Sequence, residues 1–440
     1  MDNRLRTRSR TLPEPTSRWS THRDYASLTS IRLIWEATDR DRGRTIWWPR
    51  RQVPSAPGDT LRVMRVLHTA DWHLGRGFHG EGLLAAQAAW ADWLVELAGA
   101  ASVDAIVVAG DLYDRALPPV DAVALADDAL ARLAAIAPVV VVAGNHDSAT
   151  RLGFGSSLLA RAGLHLRTEP ARSGEPVLVG GLALYPIPYL EPDAVRTALG
   201  VQERGHGPVL TAAMALVRAD LARRAGGTRA VVVAHAFVAG AQASESERDL
   251  ALGGASCVPA STFAGADYVA LGHLHGPQRV GKNGRYAGSP LALSFSEATH
   301  TKSVVLVDLA AAAPTVELVA CPVPRPLARV RGILEALLAD AAHEAAEEAW
   351  VEVTLTDAVR PADAMDRLRR RFPHAVALHF APQGVPAGAE GSYAARLRGL
   401  SDLALATSFV EDVRGLPADA DEEALLAEVL GDARVTERVA

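Results

Sequence analysis

Short runs of apolar residues alternate along most of the chain with longer stretches in which apolar residues recur at helical spacing. Five runs are rich in valine and nearly continuous, which is typical of strands buried on both faces of a sheet. They span residues 65–68, 105–109, 139–143, 230–234 and 268–271. Alanine-rich stretches at residues 83–100 and 120–136 predict helices between the first three runs. This alternation predicts an α/β sandwich of βαβ character.

A cluster of polar residues follows each of these runs, at the point where the strand is predicted to end. Ligand sites of α/β folds gather at such strand ends. The clusters are Asp71-Trp72-His73, Gly110-Asp111-Leu112-Tyr113-Asp114, Gly144-Asn145-His146-Asp147, His235 and Gly272-His273-Leu274-His275. Each cluster alone has an ordinary structural explanation, such as a turn, a helix cap or a satisfied buried histidine. Their recurrence at five strand ends indicates one shared site.

The side chains in these clusters are suited to binding a divalent metal ion. Asp71 and His73 are expected to point to the same side, because residues two apart in an extended backbone share a face. Carboxylate and imidazole ligands without a thiolate favour Mn²⁺, although Fe²⁺ and Zn²⁺ also fit. The sequence therefore predicts a metal site assembled from several loops.

Composition limits the class of protein that carries this site. A chain of 440 residues is long enough for two or more domains. Its net charge of -6 argues against a uniformly basic surface, so any contact with nucleic acid must be local. Two cysteines are too few for a disulfide framework, and no apolar stretch is long enough to span a membrane. With no secretory signal recognisable, we expect a cytoplasmic protein.

In order and spacing, the polar clusters resemble the motifs of the calcineurin-like metallophosphoesterases. The stretch from Met64 to Gly75 and the run Tyr286-Ala287-Gly288-Ser289-Pro290 resemble the SbcD family more closely, the nuclease subunits of bacterial SbcCD complexes. The resemblance covers residues 64–310 strongly and residues 311–430 more weakly. It implies a four-layer metallophosphoesterase β-sandwich flanked by helices, followed by a small α+β capping domain and C-terminal helices.

The resemblance also implies a role for each polar residue of the clusters. Two divalent ions, expected to be Mn²⁺, would share the carboxylate of Asp111. The first ion would take Asp71, His73, Asp111 and His275, and the second would take Asp111, Asn145, His235 and His273. His146 would stabilise the transition state and protonate the leaving group as the catalytic acid. Asp147 is expected to orient a neighbour through a hydrogen bond, whereas Asp114 either does the same or caps the following helix.

We expect four segments along the chain. Residues 1–63 are arginine-rich and lack periodicity, which indicates a disordered leader or a start codon assigned too early, with a basic arm for DNA as an alternative. Residues 64–310 would form the phosphoesterase domain, and residues 311–385 the capping domain. Residues 386–440 hold two amphipathic stretches, at 393–413 and 420–430. In the SbcD family such helices dock on the coiled coil of the ATPase partner SbcC.

The capping domain carries a local basic patch. Its pattern predicts helices at residues 333–348 and 361–372, and strands at residues 350–356 and 375–380. The second helix carries arginines that form either a DNA-binding patch or a solvated helix face, namely Arg367, Arg369, Arg370 and Arg371.

The leading hypothesis is a metal-dependent nuclease subunit that acts on DNA with SbcC, as a homodimer within a heterotetramer. The resemblance implies an ATP-dependent 3′–5′ exonuclease on double strands and an endonuclease on single strands and hairpins, in DNA repair and recombination. Residues 276–283 nearly match the sequence pattern of a phosphate-binding loop, but Asn283 replaces the Ser or Thr that binds Mg²⁺. The partner must therefore supply ATP hydrolysis. The alternative is a stand-alone metallophosphoesterase for a small phosphorylated substrate, which would not need the C-terminal segments.

Overall fold

The computed structural model of the chain describes residues 64–224, 226–247, 257–382, 400–414 and 416–439, with side chains up to residue 431 in the last helix. The predictions for residues 1–63 and for the start of the helix at 393–413 lie outside the described residues. The strands are β1 (Arg65–Thr69), β2 (Gly77–Phe78), β3 (Glu81–Gly82), β4 (Ala105–Val108), β5 (Val139–Val142), β6 (Leu164–Arg167), β7 (Val177–Val179), β8 (Leu182–Ile187), β9 (Arg229–His235), β10 (Tyr268–Gly272), β11 (Gln278–Val280), β12 (Gly284–Tyr286), β13 (Ser303–Asp308), β14 (Thr315–Ala320), β15 (Leu327–Gly332), β16 (Trp350–Leu355) and β17 (Ala375–Phe380). The α-helices are α1 (Leu84–Ala101), α2 (Val120–Ala134), α3 (Ala149–Leu152), α4 (Ser156–Leu159), α5 (Pro192–Val195), α6 (His206–Leu221), α7 (Leu334–Ala339), α8 (Ala364–Arg371), α9 (Asp402–Arg414) and α10 (Ala420–Val439).

Two six-stranded sheets lie face to face. Their strand orders are β14-β13-β1-β4-β5-β6 and β11-β12-β10-β9-β8-β7. Strands β1, β4, β5 and β6 run parallel in the first sheet, and β8, β9 and β10 run parallel in the second. Val107 and Val140 from the first sheet share one buried core with Val233 and Ala270 from the second. The ends of β1, β4, β5, β9 and β10 thus bring the predicted polar clusters to one edge of the sandwich.

Helices cover the outer faces of both sheets. Helix α1 buries Trp90 and Leu94, and α2 beside it packs against β5. On the opposite side, α6 buries Val209 and Val217 in one cluster with Val232 of β9. Each fully buried side chain of this size contributes about 1.5–3 kcal/mol through removal from water. The resulting helix–sheet–sheet–helix layers confirm the predicted sandwich, and no helix of the described chain is both long and apolar enough to cross a membrane.

A separate α+β module follows the sandwich. Strands β15, β16 and β17 form a parallel sheet, and α7 and α8 pack on it. The module has its own core, which includes Val351, Leu368 and Phe372. A smaller cluster, with Phe78 and Phe295 among its members, joins the module to the sandwich. The module therefore lies beside the loops that leave the sandwich.

Most predicted elements are present, but one predicted helix is wrong. The sequence predicted a single helix at residues 333–348, whereas α7 ends at Ala339. Asp340 has an extended backbone, and its side chain accepts a hydrogen bond from the backbone nitrogen of Ala342. This bond begins a separate 3₁₀ helix at Ala341–Ala346. The aspartate side chain competes with the helical hydrogen bonds and ends the first helix early.

The segment that nearly spells a phosphate-binding loop is a hairpin. Strands β11 and β12 pair antiparallel, with Val280 opposite Gly284. Lys282 and Asn283 lie in the turn between them, as predicted. No helix follows the turn, so the backbone does not form the phosphate cradle of a nucleotide-binding loop.

Candidate metal centre

Four of the predicted ligands have a backbone conformation that is uncommon outside glycine. Asp71, His73, Asp111 and His273 all have positive φ angles, of 53°, 44°, 49° and 114°. A backbone of this kind costs roughly 1–3 kcal/mol per residue outside glycine and is found mainly at functional sites. The sequence predicts an extended backbone at Asp71 and His73, but β1 ends before them. That expectation was wrong about the backbone, although the side chains do converge.

The polar side chains from the five loops meet around one carboxylate. His73 Nε2 lies 3.1 Å from His275 Nε2 and 3.7 Å from Asp111 Oδ2. From the other side, His235 Nε2 lies 3.5 Å from the same Asp111 oxygen and 2.8 Å from Asn145 Oδ1. The structure therefore places Asp111 between two groups of ligands, one from each half of the predicted set.

The remaining predicted ligands, His273 and Asp71, lie beside these groups. His273 Nδ1 lies 3.0 Å from Asn145 Oδ1, on the side of His235. The carboxylate of Asp71 accepts a hydrogen bond of 2.9 Å from the backbone nitrogen of His273, and its Oδ1 lies 3.8 Å from His235 Nδ1. Asp71 thereby ties together loops that leave different sheets.

The position of the proton on the His235 ring leaves a lone pair that faces oxygen atoms. His235 Nδ1 lies 2.9 Å from the carbonyl oxygen of Ala109, and only an N–H can donate to a carbonyl. Burial lowers the pKa of His235 to about 3, so its ring is neutral. The Nε2 atom then carries a lone pair directed toward oxygens of Asp111 and Asn145. A cation between these atoms would turn that repulsion into ligation.

The pKa shifts of the other site residues also favour a bound cation. Burial and the nearby histidines lower the pKa values of His73 and His273 well below their usual range. Burial and the charge of Asp111 raise the pKa of the Asp71 carboxyl. The Nδ1 atom of His73 is buried and lacks a hydrogen-bond partner. Neutral imidazoles beside two carboxyl groups are the donor set that a divalent cation takes, and the residues present fit such ions.

His146 lies beside the ligands, with a ring that is almost fully buried. Its backbone nitrogen donates a 2.8 Å hydrogen bond to Asp111 Oδ1. Its Nδ1 lies 2.7 Å from the carbonyl oxygen of Asp114, so Nδ1 carries the proton that this contact needs. This bond fixes the orientation of the ring and leaves Nε2 as the atom that can exchange a proton.

Two predicted supporting carboxylates have different surroundings. Asp147 accepts hydrogen bonds from the backbone nitrogens of Leu112, Tyr113 and Gly144, at 3.1, 3.0 and 2.9 Å. It thus holds together two loops that carry ligands, and burial raises its pKa to about 7. Asp114 Oδ1 lies 3.2 Å from an Arg76 nitrogen and 3.7 Å from His73 Nδ1.

The helix-cap alternative for Asp114 does not match the structure. Helix α2 begins at Val120, and Pro119 occupies its N-cap position. Asp114 Oδ1 instead faces the ring of His73 at 3.7 Å from Nδ1, too far for a hydrogen bond, so its orienting role stays a prediction.

The arginines predicted to contact DNA are mostly engaged within the C-terminal module. The partners are Glu335 for Arg367, the carbonyl of Ala375 for Arg369, and Glu347 with the carbonyl of Leu337 for Arg371. Arg370 is exposed. Most of this patch therefore has a structural role, and its contact with DNA stays a prediction.

Sequence analysis missed several buried polar residues that support the ligand loops. Gln87 of α1 donates a 2.8 Å hydrogen bond to the carbonyl of His73 and accepts one of 3.1 Å from the backbone nitrogen of Gly75. Glu297 and Lys302 form a buried ion pair beside His275. Two features of the sequence could have indicated these residues. Gln87 lies on the apolar face of a predicted helix, and Lys302 comes just before an apolar strand.

Comparisons with known proteins match both parts of the chain. Residues 64–277 match the family model described as calcineurin-like phosphoesterase, and residues 323–414 match the model described as type 5 capsule protein repressor C-terminal domain. The D component of the SbcCD nuclease from Escherichia coli K12 is 34% identical over 318 residues, which is 67% of this chain and 78% of that protein. Its counterparts of the same name from Bacillus subtilis 168 and Staphylococcus saprophyticus are 39% identical over 269 residues and 30% identical over 323 residues. These alignments cover 56% and 72% of this chain, and 66% and 84% of the relatives.

Replacing Gly144 with alanine should displace Asp111, because the added methyl carbon would lie 2.1 Å from Asp111 Oδ1 and 2.3 Å from its backbone nitrogen. We expect loss of bound Mn²⁺ and destabilisation by about 1–3 kcal/mol, as for other overpacked sites. Metal content after dialysis and urea unfolding measure the two effects.

The matched control is Gly207→Ala in α6, where an added methyl group meets nothing within 4 Å. It should keep both the metal content and the stability of the unchanged protein. If Gly144→Ala behaved like this control, the close approach of Gly144 to Asp111 would be wrong.

Proposed function

Because this chain belongs to the SbcD family of calcineurin-like phosphoesterases, we propose that it is the nuclease component of an SbcCD complex. It hydrolyses phosphodiester bonds of DNA in the cytoplasm with two divalent ions, expected to be Mn²⁺. The observation that carries this proposal is the convergence of carboxylate oxygens and imidazole lone pairs on both sides of Asp111. The family assignment and the C-terminal module argue against a stand-alone enzyme for small phosphorylated substrates.

Each ligand has a place in the proposed centre. The first ion would be held by Asp71, His73, Asp111 and His275, and the second by Asp111, Asn145, His235 and His273. Bound there, two divalent ions would lower the pKa of a water molecule and offset the charge of the phosphate. The negative charge of Asp111, a ligand of both ions, would reduce the repulsion between them.

His146 is proposed to act on the substrate rather than on the ions. Its Nδ1 proton is engaged by the carbonyl of Asp114, so Nε2 is the ring nitrogen proposed to meet the substrate. Protonated at Nε2, the ring would stabilise negative charge on the phosphate and donate the proton to the leaving oxygen.

Replacing His146 with alanine should reduce DNA cleavage by about 10²–10⁴-fold while both ions stay bound, because general acid catalysis contributes about that much. The measurement is Mn²⁺-dependent digestion of blunt duplex and hairpin DNA, with and without SbcC, together with metal content. His343→Ala in the C-terminal module serves as the control and should cut at the unchanged rate.

Loss of metal together with activity would move His146 into the ligand set. Failure of the unchanged protein to cut either DNA in the presence of Mn²⁺ and SbcC would contradict the nuclease assignment.

The proposed SbcC-binding surface is formed by the two C-terminal helices. Helices α9 and α10 contact each other. They expose large apolar side chains, among them Phe409, Leu425 and Val429, at 60%, 60% and 57%. Apolar side chains grouped on one surface commonly mark a protein-binding site.

The double variant Phe409→Asp, Leu425→Asp should lose co-purification with SbcC, since charged groups would replace the apolar contacts. It should retain Mn²⁺-dependent hydrolysis of a small phosphodiester such as bis(p-nitrophenyl) phosphate. Leu178→Asp, at an equally exposed leucine of β7, is the control and should bind SbcC normally. Undiminished binding by the double variant would place the SbcC contact elsewhere.

A second apolar surface is proposed to form a homodimer. Leu117 and Val120 near the start of α2 are 68% and 83% exposed, and Phe154 and Leu158 near α4 are 86% and 69% exposed. Arg151 donates a hydrogen bond of 3.2 Å to the carbonyl of Ala116, which places the two segments side by side. Exposed apolar side chains that lie near one another commonly mark a protein–protein contact.

The double variant Val120→Glu, Phe154→Glu should be monomeric, because burying the added carboxylates in an interface between two copies is unfavourable. Light scattering of the full chain measures its mass. The unchanged protein should have the mass of a dimer, and a dimeric double variant would contradict the proposed surface.

A further inference from the structure

A buried ion pair lies behind His275. The side chains of Lys302 and Glu297 are only 3% and 1% exposed. Lys302 donates to Glu297 Oε2, to Ser289 Oγ at 2.9 Å and to the carbonyl oxygen of His275 at 2.9 Å. All three protons of the ammonium group therefore have acceptors, and the pair is fixed in one geometry.

The second oxygen of the same carboxylate connects to the ring of His275 through a serine. Ser246 donates its hydroxyl proton to Glu297 Oε1. The oxygen of that hydroxyl lies 2.6 Å from His275 Nδ1, and it can accept because its own proton is engaged. His275 Nδ1 must then carry a proton, so its Nε2 has the lone pair. That Nε2 is the atom directed toward His73 in the proposed metal centre.

The backbone of His275 is held from the same side. Its nitrogen donates a hydrogen bond of 2.7 Å to Glu247 Oε1, and its carbonyl is bound by Lys302. The orientation of the His275 ring, its tautomer and its backbone are thus all fixed by Ser246, Glu247 and the Lys302–Glu297 ion pair.

Stability alone does not account for this arrangement. Although burial opposes ionisation, a direct contact of 3.4 Å with His275 Nδ1 and the charge of Lys302 hold the pKa of Glu297 well below its usual range. Ser246 provides the shorter connection, with its oxygen 2.6 Å from the same nitrogen. Replacing a buried ion pair by apolar residues of similar volume is often neutral or stabilising, because removing two charges from water is costly. A buried pair that is aimed at one ring through an intervening serine points to a role at that ring.

We propose that Lys302, Glu297 and Ser246 form a positioning relay that keeps the His275 proton on Nδ1 and its Nε2 lone pair on the first metal ion. Lys302 holds the carboxylate, the carboxylate holds the serine hydroxyl, and the hydroxyl holds the ring. This inference rests on the proposed two-metal centre. The three residues are positioning residues, because they act through the ring and the backbone of His275.

The test is Mn²⁺ binding by the full chain after removal of metal with EDTA. Partners of this kind change metal affinity by about 10–100-fold. Ser246→Ala should weaken one of the two Mn²⁺ ions by about 10-fold, and Glu297→Gln by up to about 100-fold, while the other ion changes little. Ser246→Thr retains the hydroxyl and should restore most of the affinity. Calorimetric titration gives the two affinities, and EPR detects the paired ions.

The matched control is Ser173→Ala, at another buried serine, which donates to the carbonyl of Pro170. It should leave both affinities unchanged. Thermal unfolding of the metal-free proteins separates positioning from folding, since Ser246→Ala should unfold like Ser173→Ala despite its weaker metal binding.

Three outcomes decide between the possibilities. Selective weakening of one ion in Ser246→Ala, with recovery in Ser246→Thr, supports the relay. The relay would be overturned if Ser246→Ala left both affinities unchanged. It would also be overturned if Ser246→Ala lost both ions equally and the metal-free protein lost stability. Both results can be read from Ser246→Ala alone, so the test holds even if Glu297→Gln fails to fold. If the unchanged protein binds fewer than two Mn²⁺ ions, the two-metal centre itself is wrong.

Discussion

The site depends on one constraint. Carboxylate oxygens and neutral imidazoles are buried together, and there are too few protons for all of their lone pairs to accept hydrogen bonds. Asp111 lies between His73 and His235, and their ring nitrogens face the same carboxylate oxygen. Burial keeps these rings neutral, so they cannot supply the positive charge. Divalent cations resolve the conflict, since they accept imidazole lone pairs and carboxylate oxygens together. The remaining features of the site serve to maintain this arrangement.

The protein maintains it with backbone strain and with a layer of supporting hydrogen bonds. Positive φ angles at Asp71, His73 and Asp111 turn the side chains inward, at an energetic cost that the packed sandwich must offset. Asp147 binds three backbone nitrogens across two loops, and Gln87 holds the loop of His73 from the helix side. A ligand set held this rigidly loses little conformational freedom when ions bind.

The sequence predicts which loops meet at the site, because a polar cluster after a valine-rich strand is a local signal. His235 and His275 are far apart in sequence, yet strand order alone brings them to one edge. The sequence could not predict the positive φ angle of His73, since nothing local distinguishes it from an extended residue. It also could not assign partners: Arg367 and Arg371 look like a DNA contact in sequence, but their acidic partners are distant along the chain. Asp340 ended a predicted helix through a side-chain bond that helical periodicity does not reveal.

Two cations on either side of Asp111 would resolve the conflict between its carboxylate and the neighbouring imidazoles. Anomalous scattering from crystals grown with Mn²⁺ can locate such ions. We expect two peaks about 3.5–4 Å apart, with a carboxylate oxygen of Asp111 in contact with both. A single peak, or two peaks of which neither contacts Asp111, would refute the two-metal centre.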